Sequence, residues 1–206
     1  INRGVSTNPI LQSFQETVNQ YHIDHALISA FFRSMSFDLD KKQYDQQGYQ
    51  EYIYGSAEVV GLMCLFVFCE GDKNMYNDLK PSAQALGAAF QKVNFLRDLQ
   101  DDYKARGRVY FPNVDFENFC TRQKDAIEKE IQNDFDEAYK GILELPVTAK
   151  FGVYLAYKYY VKLFEKIRKT EPEKVMQTRI RVSDPAKISL WASLYVRSNM
   201  LGIYAP

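Results

Sequence analysis

The chain has 206 residues, with 26 basic and 26 acidic side chains that cancel to a formal net charge of zero. That length suits a single domain spanning 1–206 with a real core, and the balanced charge, without a long block of either sign, excludes a nucleic-acid footprint. Cys64, Cys69 and Cys120 are odd in number and lack metal-ligand spacing, and His22 and His25 have no cysteine nearby, which excludes a zinc centre and points to a reduced, cytoplasmic compartment.

The 10 glycines and 7 prolines fall mainly between long periodic segments, so the chain reads as all-α. Thr7-Asn8-Pro9 starts a first helix, which ends near His22 and carries Ile10, Leu11, Phe14 and Val18 at helical spacing. A second runs from about Asp24 through Leu27, Ile28, Phe31, Phe32 and Met35 to Asp40. A third, from about Tyr49 to Glu70, is apolar nearly all round, as a helix at the centre of a bundle should be. Its run Val59–Cys69 is about half the ~20 residues that a membrane span needs.

Lys80-Pro81-Ser82 reads as the opening of a fourth helix, continuing to about Lys104. The stretch Arg108-Val109-Tyr110-Phe111-Pro112 breaks the pattern, because a proline biases its predecessor away from helix. Helices over about 123–144, 148–169 and 185–202 follow, separated by Pro146, Glu171-Pro172 and Asp184-Pro185. The 15 tyrosines and 14 phenylalanines spread through these segments can fill a core or line a large apolar pocket.

The most informative stretch is the end of the fourth helix. Asn94, Asp98 and Asp102 recur at i, i+4 and stack on one face, with Asp101 beside Asp98. Carboxylates four apart repel, and a bound cation would relieve this. Mg²⁺ uses one or two carboxylates plus phosphate oxygens, which suits a site completed by a diphosphate. Arg97, Arg106 and Arg108 can take the remaining phosphate charge. The plain alternative is a solvated acidic face with surface ion pairs.

Gln91 to Pro112, Q-K-V-N-F-L-R-D-L-Q-D-D-Y-K-A-R-G-R-V-Y-F-P, closely resembles the second aspartate-rich signature of squalene and phytoene synthases. Tyr52-Ile53-Tyr54-Gly55-Ser56-Ala57-Glu58-Val59-Val60-Gly61 is similar to that family's Y-x-Y-x-x-A-G-x-V-G helix, and Ala156 to Lys187 is a third match. The resemblance implies a class I isoprenoid-synthase-type helical bundle around a central apolar channel. It implies Mg²⁺, with Mn²⁺ able to substitute, on Asn94, Asp98 and Asp102, and prenyl diphosphates held by Gln91 and Arg97. Tyr52 would assist diphosphate departure and the cyclopropyl-intermediate chemistry. Tyr160 would contact substrate, Arg179 and Lys187 would lie near phosphate, and Ser56, Ala57, Val60 and Gly61 would line the channel.

The implied reaction is head-to-head condensation of two prenyl diphosphates, foremost two geranylgeranyl units giving phytoene for carotenoids. The alternatives are squalene or dehydrosqualene synthesis from farnesyl diphosphate, a catalytically silent binding or assembly relative, and, ranked low, a class I terpene cyclase. Products so apolar imply peripheral contact with a membrane. Two departures stand out. Glu58 replaces the common glycine, and no D-x-x-x-D precedes Asp38, so the family's first aspartate-rich motif is missing. The chain is therefore expected to be an N-terminally truncated form, inactive or nearly so by itself. Asp38-Leu39-Asp40 follows Met35 in a segment similar to the family's G-M-x-x-D-L and is not that motif displaced.

Overall fold

The computed structural model describes residues 4–40, 43–105, 107–200, 202 and 204. Among them there is no strand, only an isolated parallel bridge between Gln43 and Val109. The elements in chain order are α1 (Pro9–Gln20), α2 (His25–Asp40), α3 (Gln46–Ile53), α4 (Val59–Phe68), α5 (Lys73–Arg97), α6 (Thr121–Glu144), α7 (Val147–Arg168), the short α8 (Pro172–Val175) and α9 (Asp184–Tyr195). Asn8 caps α1 by accepting from the amides of Ile10 and Leu11, ahead of Pro9 in the first turn. The turn that follows contains His22 at φ 53°, which separates it from His25 on the next helix.

The third expected helix is present from Gln46 to Phe68, with a π turn (Tyr54–Glu58) joining α3 to α4. The whole run is long and apolar enough to cross a membrane by length and composition, more than Val59–Cys69 alone suggested. Here Val59, Leu62 and Leu65 are buried and the segment packs on α2 and α5. The π turn widens the backbone where Gly55 passes close to Ser34 and the Ala30 carbonyl.

The largest departure concerns α5, which starts at Lys73 instead of Lys80. Asp72 caps it by accepting from the amides of Asn74 and Met75, and Pro81 lies inside the helix. A proline there forfeits one helical hydrogen bond, a cost of about 3 kcal/mol in an isolated helix. The long packing face of α5 against α6 and α4 offsets it.

That packing depends on close backbone approach. A Cβ at Gly87 would meet the Ala57 carbonyl oxygen at 2.7 Å, and one at Gly61 would meet the Ala83 carbonyl oxygen at 2.8 Å. Gly87→Ala therefore pushes α5 off the π turn, with an expected destabilisation of about 1–3 kcal/mol, measurable by denaturant unfolding. The main core is formed by α5, α6 and α7, with Val93, Leu96, Ile131, Phe135, Leu163 and Phe164 at its centre. Cys64, Cys69 and Cys120 are free thiols.

Candidate functional site

The site is built at the C-terminal end of α5. Phe90, Gln91, Asn94, Phe95 and Arg97 occupy its last two turns. The Asp98 amide still closes a helical bond to the Asn94 carbonyl (2.9 Å), but Asp98 itself leaves helical geometry at φ −100°, ψ 10°. The chain continues through a π turn, Asp101–Ala105, tied back by the Asp102 amide to the Asp98 carbonyl (2.9 Å). Gly107 at φ 64° reverses the backbone, and the Arg108 amide bonds the Asp102 carbonyl at 2.8 Å. The ladder thus bends at Asp98 instead of running straight to Lys104, and the bend folds the basic turn back over the carboxylates.

The result is a polar cavity of about 350 Å³, lined in part by Asp38, Tyr52, Gln91, Asn94, Phe95 and Arg97. Asp98, Asp101, Asp102, Arg108, Tyr110 and Arg179 complete its wall. Asp98 is held from two sides, by Arg97 Nη2 at 2.5 Å and by Arg179 Nε at 2.7 Å. Its hydrogen bond raises the affinity of Arg97 for its proton, against the opposing effect of burial. Asp102 is buried, at 6% exposure.

Gln91 and Asn94 also line a second, adjoining hollow, an apolar channel of about 640 Å³ between α4, α5, α6 and α7. Ala57, Val60 and Gly61 form one wall, and Leu86, Phe90, Ala138, Gly152 and Ala156 form others. At the junction the Tyr160 hydroxyl donates to Asn94 Oδ1 (3.2 Å) while its ring stacks on Phe90 with centroids 3.9 Å apart. Ser56 also belongs to the channel lining, and its buried hydroxyl has no hydrogen-bond partner among the described residues.

Tyr52, Gln91, Asn94, Arg97, Asp98, Asp102, Arg108, Tyr160, Arg179, Ala57, Val60 and Gly61 are thereby brought around one pair of connected spaces. Lys187 is not among them: it pairs with Asp184 at 2.8 Å and lies over the Tyr159 ring. Arg106 lies outside the described residues. Glu58 turns out of the channel and accepts from Gln84 Nε2 at 2.8 Å; burial pushes its carboxyl above the usual range, with the Gln84 bond opposing.

Three wall residues were not singled out as site residues from sequence. Asp38 accepts from the Tyr52 hydroxyl at 3.0 Å and from Arg108 through its backbone carbonyl at 2.6 Å. Phe95 and Tyr110 stack on each other with centroids 4.1 Å apart, beside the Tyr52 ring. The one available sign of Asp38 was its place in the segment after Met35; Phe95 and Tyr110 lay inside the quoted motif, hidden among other aromatics.

Among the described residues no three or more His, Cys, Asp or Glu side chains are grouped so as to hold a metal by themselves. Asn94, Asp98 and Asp102 nevertheless offer hard oxygen donors on the cavity wall, a set that fits Mg²⁺ when phosphate oxygens and water fill its other positions.

Among solved structures, a dehydrosqualene synthase in complex with ligand superposes with a TM-score of 0.77 at 20% identity, covering 97% of this chain and 73% of that one. Squalene synthase HpnC from Alicyclobacillus acidocaldarius gives 0.70 at 21%, covering 82% and 68%. The fold is therefore the isoprenoid-synthase-type helical fold. Phytoene synthase 2, chloroplastic, of Solanum lycopersicum is 29% identical over 90% of this chain and 65% of its own length. Phytoene synthase 1, chloroplastic, of the same species is 29% identical over 90% of this chain and 49% of its own. The chain spans about half to two thirds of the length of these relatives. The model of the squalene/phytoene synthase family matches residues 2–186, nearly the whole of this sequence, so the chain belongs to that family.

Proposed function

We propose that the intact protein is a prenyltransferase that condenses two prenyl diphosphates head to head, with two geranylgeranyl diphosphates giving phytoene as the leading reaction. The observation that carries this reading is the junction at Gln91 and Asn94, where an arginine-rimmed carboxylate cavity opens into an apolar channel. A prenyl diphosphate has the same division, a polyanionic head on a hydrocarbon tail. The phytoene synthases among its relatives favour the C20 substrate.

Asn94, Asp98 and Asp102 would hold Mg²⁺ together with the diphosphate. When bound, the metal supplies positive charge that makes the diphosphate a better leaving group. Arg97, Arg179 and Arg108 add fixed guanidinium charge to the wall of the cavity, placed before the reaction starts. Gln91 and Asn94 sit at the border and orient the bond that breaks. The wall of Ala57, Val60, Gly61 and Phe90 holds the tail and excludes water from an allylic cation. A hydrocarbon product of this kind also fits peripheral contact with a membrane from the cytoplasm.

The test is incubation of the full-length protein with Mg²⁺ and either geranylgeranyl or farnesyl diphosphate, with the products read by mass spectrometry. A C40 hydrocarbon from the first substrate is the expected result, and a C30 product from the second moves the assignment to the squalene or dehydrosqualene reaction. No hydrocarbon from either rejects the condensation and leaves a silent binding role.

A further inference from the structure

We infer that Asp38 is a positioning residue for this reaction: clamped by Arg108, it takes the Tyr52 hydroxyl hydrogen bond and fixes the orientation and polarity of the phenol in the cavity wall. The inference rests on the function proposed above. Asp38 lies in the last turn of α2, the wrong end of a helix for a carboxylate, where the backbone dipole disfavours negative charge. Arg108 compensates from the segment after Gly107, donating from Nη2 to the Asp38 carbonyl at 2.6 Å with Nη1 3.5 Å from the carboxylate.

Tyr52 has little freedom to move, and its hydroxyl has the Tyr110 hydroxyl as a second hydrogen-bonding neighbour beside Asp38. It is 4% exposed, and its ring is packed against those of Tyr44, Phe95 and Tyr110 at centroid distances of 5.2, 5.9 and 5.3 Å. Its oxygen lies 3.0 and 3.2 Å from the two carboxylate oxygens of Asp38. A phenol has a single proton, and an ionised carboxylate can only accept. The Tyr52 hydroxyl is therefore spent on Asp38, which strengthens the partial negative charge on its oxygen. Tyr52 then cannot donate to the leaving diphosphate, a task that falls to Arg97 and Arg179. Its oxygen instead adds electron density to the wall of the carboxylate cavity, and Asp38 sets that polarity.

Asp38→Asn tests this sharply, because an amide can turn and donate to the phenol oxygen, reversing the bond. In the full-length protein Asp38→Asn and Tyr52→Phe are each expected to lower kcat by on the order of 10²-fold, with KM little changed. The double variant falls no further than the worse single one, because both remove the same interaction. Asp38→Glu, which keeps an acceptor, restores part of the loss; a purely structural role gives no such rescue.

Losses that multiply in the double variant, or full activity in Asp38→Asn, overturn the inference. The Tyr52 ring ¹³Cζ resonance, assigned by its disappearance in Tyr52→Phe, gives a reading independent of turnover. It shifts in Asp38→Asn if the bond is present, and an unchanged resonance refutes the bond. Should the parent protein turn over neither substrate, the proposed function fails while this resonance still decides the Asp38–Tyr52 contact.

Discussion

Asp98→Ala in the full-length protein is expected to lower kcat for prenyl diphosphate by roughly 10²–10³-fold without raising KM, as read by hydrocarbon yield in steady-state assays. The absence of a KM penalty follows from the charges around it. Arg97 and Arg179 both contact the Asp98 carboxylate, at 2.5 and 2.7 Å. Removing it leaves two guanidiniums without their partner, and they are then freer to hold the diphosphate of the ground state. What is lost is a hard oxygen donor for the cation and the ordered placement of both arginines, which matters as the leaving group separates. Asp98→Asn keeps the shape but not the charge and falls between. A variant with raised KM and intact kcat would reduce Asp98 to a substrate-binding group.

Lys92→Ala carries the largest expected loss of stability, about 3 kcal/mol, measured by denaturant unfolding at neutral pH. The Lys92 side chain on α5 is only 8% exposed and binds two acids of α6, Asp134 at 2.7 Å and Glu130 at 2.5 Å. Burial raises the Asp134 carboxyl, and Lys92 counteracts that rise. Without the lysine, the folded-state value moves further above the unfolded one. A carboxyl raised on folding binds more protons in the native state, so its penalty grows as pH rises through the unfolded value of ~4. The stability gap between parent and Lys92→Ala should therefore shrink on acidification towards pH 4. Replacing both partners by apolar residues, Lys92→Met with Asp134→Leu, recovers most of the loss, since no charge is then left buried alone.

Periodicity and caps were enough to read an all-helical chain and the helical spacing of Asn94 and Asp98, because these are local properties of one segment, whereas the bend at Asp98 that redirects Asp102 was not legible. The start of α5 was misread for a local reason too: Lys80-Pro81-Ser82 looks like a helix opening, and nothing nearby in sequence reveals that packing on α6 outweighs one lost hydrogen bond. Contacts between distant segments were out of reach. Arg179 meets Asp98 because α7 and the turn after α8 carry it back across the bundle, and Asp38 meets Tyr52 because Ser34, one turn earlier, sits against Gly55 and bonds the Tyr52 carbonyl. Lys187 shows the opposite error, since its place in a family-like run did not bring it to the cavity, and Asp184 three residues away holds it instead.

The rim shared by Gln91 and Asn94 bears on the order in which products can depart. In the proposed reaction the scissile carbon–oxygen bond straddles that rim, so the two fragments are sorted as soon as they part. Inorganic diphosphate is already on the solvent-facing side, among arginines, and can diffuse away without passing through hydrocarbon. The condensed hydrocarbon, by contrast, occupies the channel of about 640 Å³ and has no polar group left to pull it back through the cavity. In the proposed reaction the opposite polarity of the two spaces therefore separates the release of diphosphate from the release of the hydrocarbon.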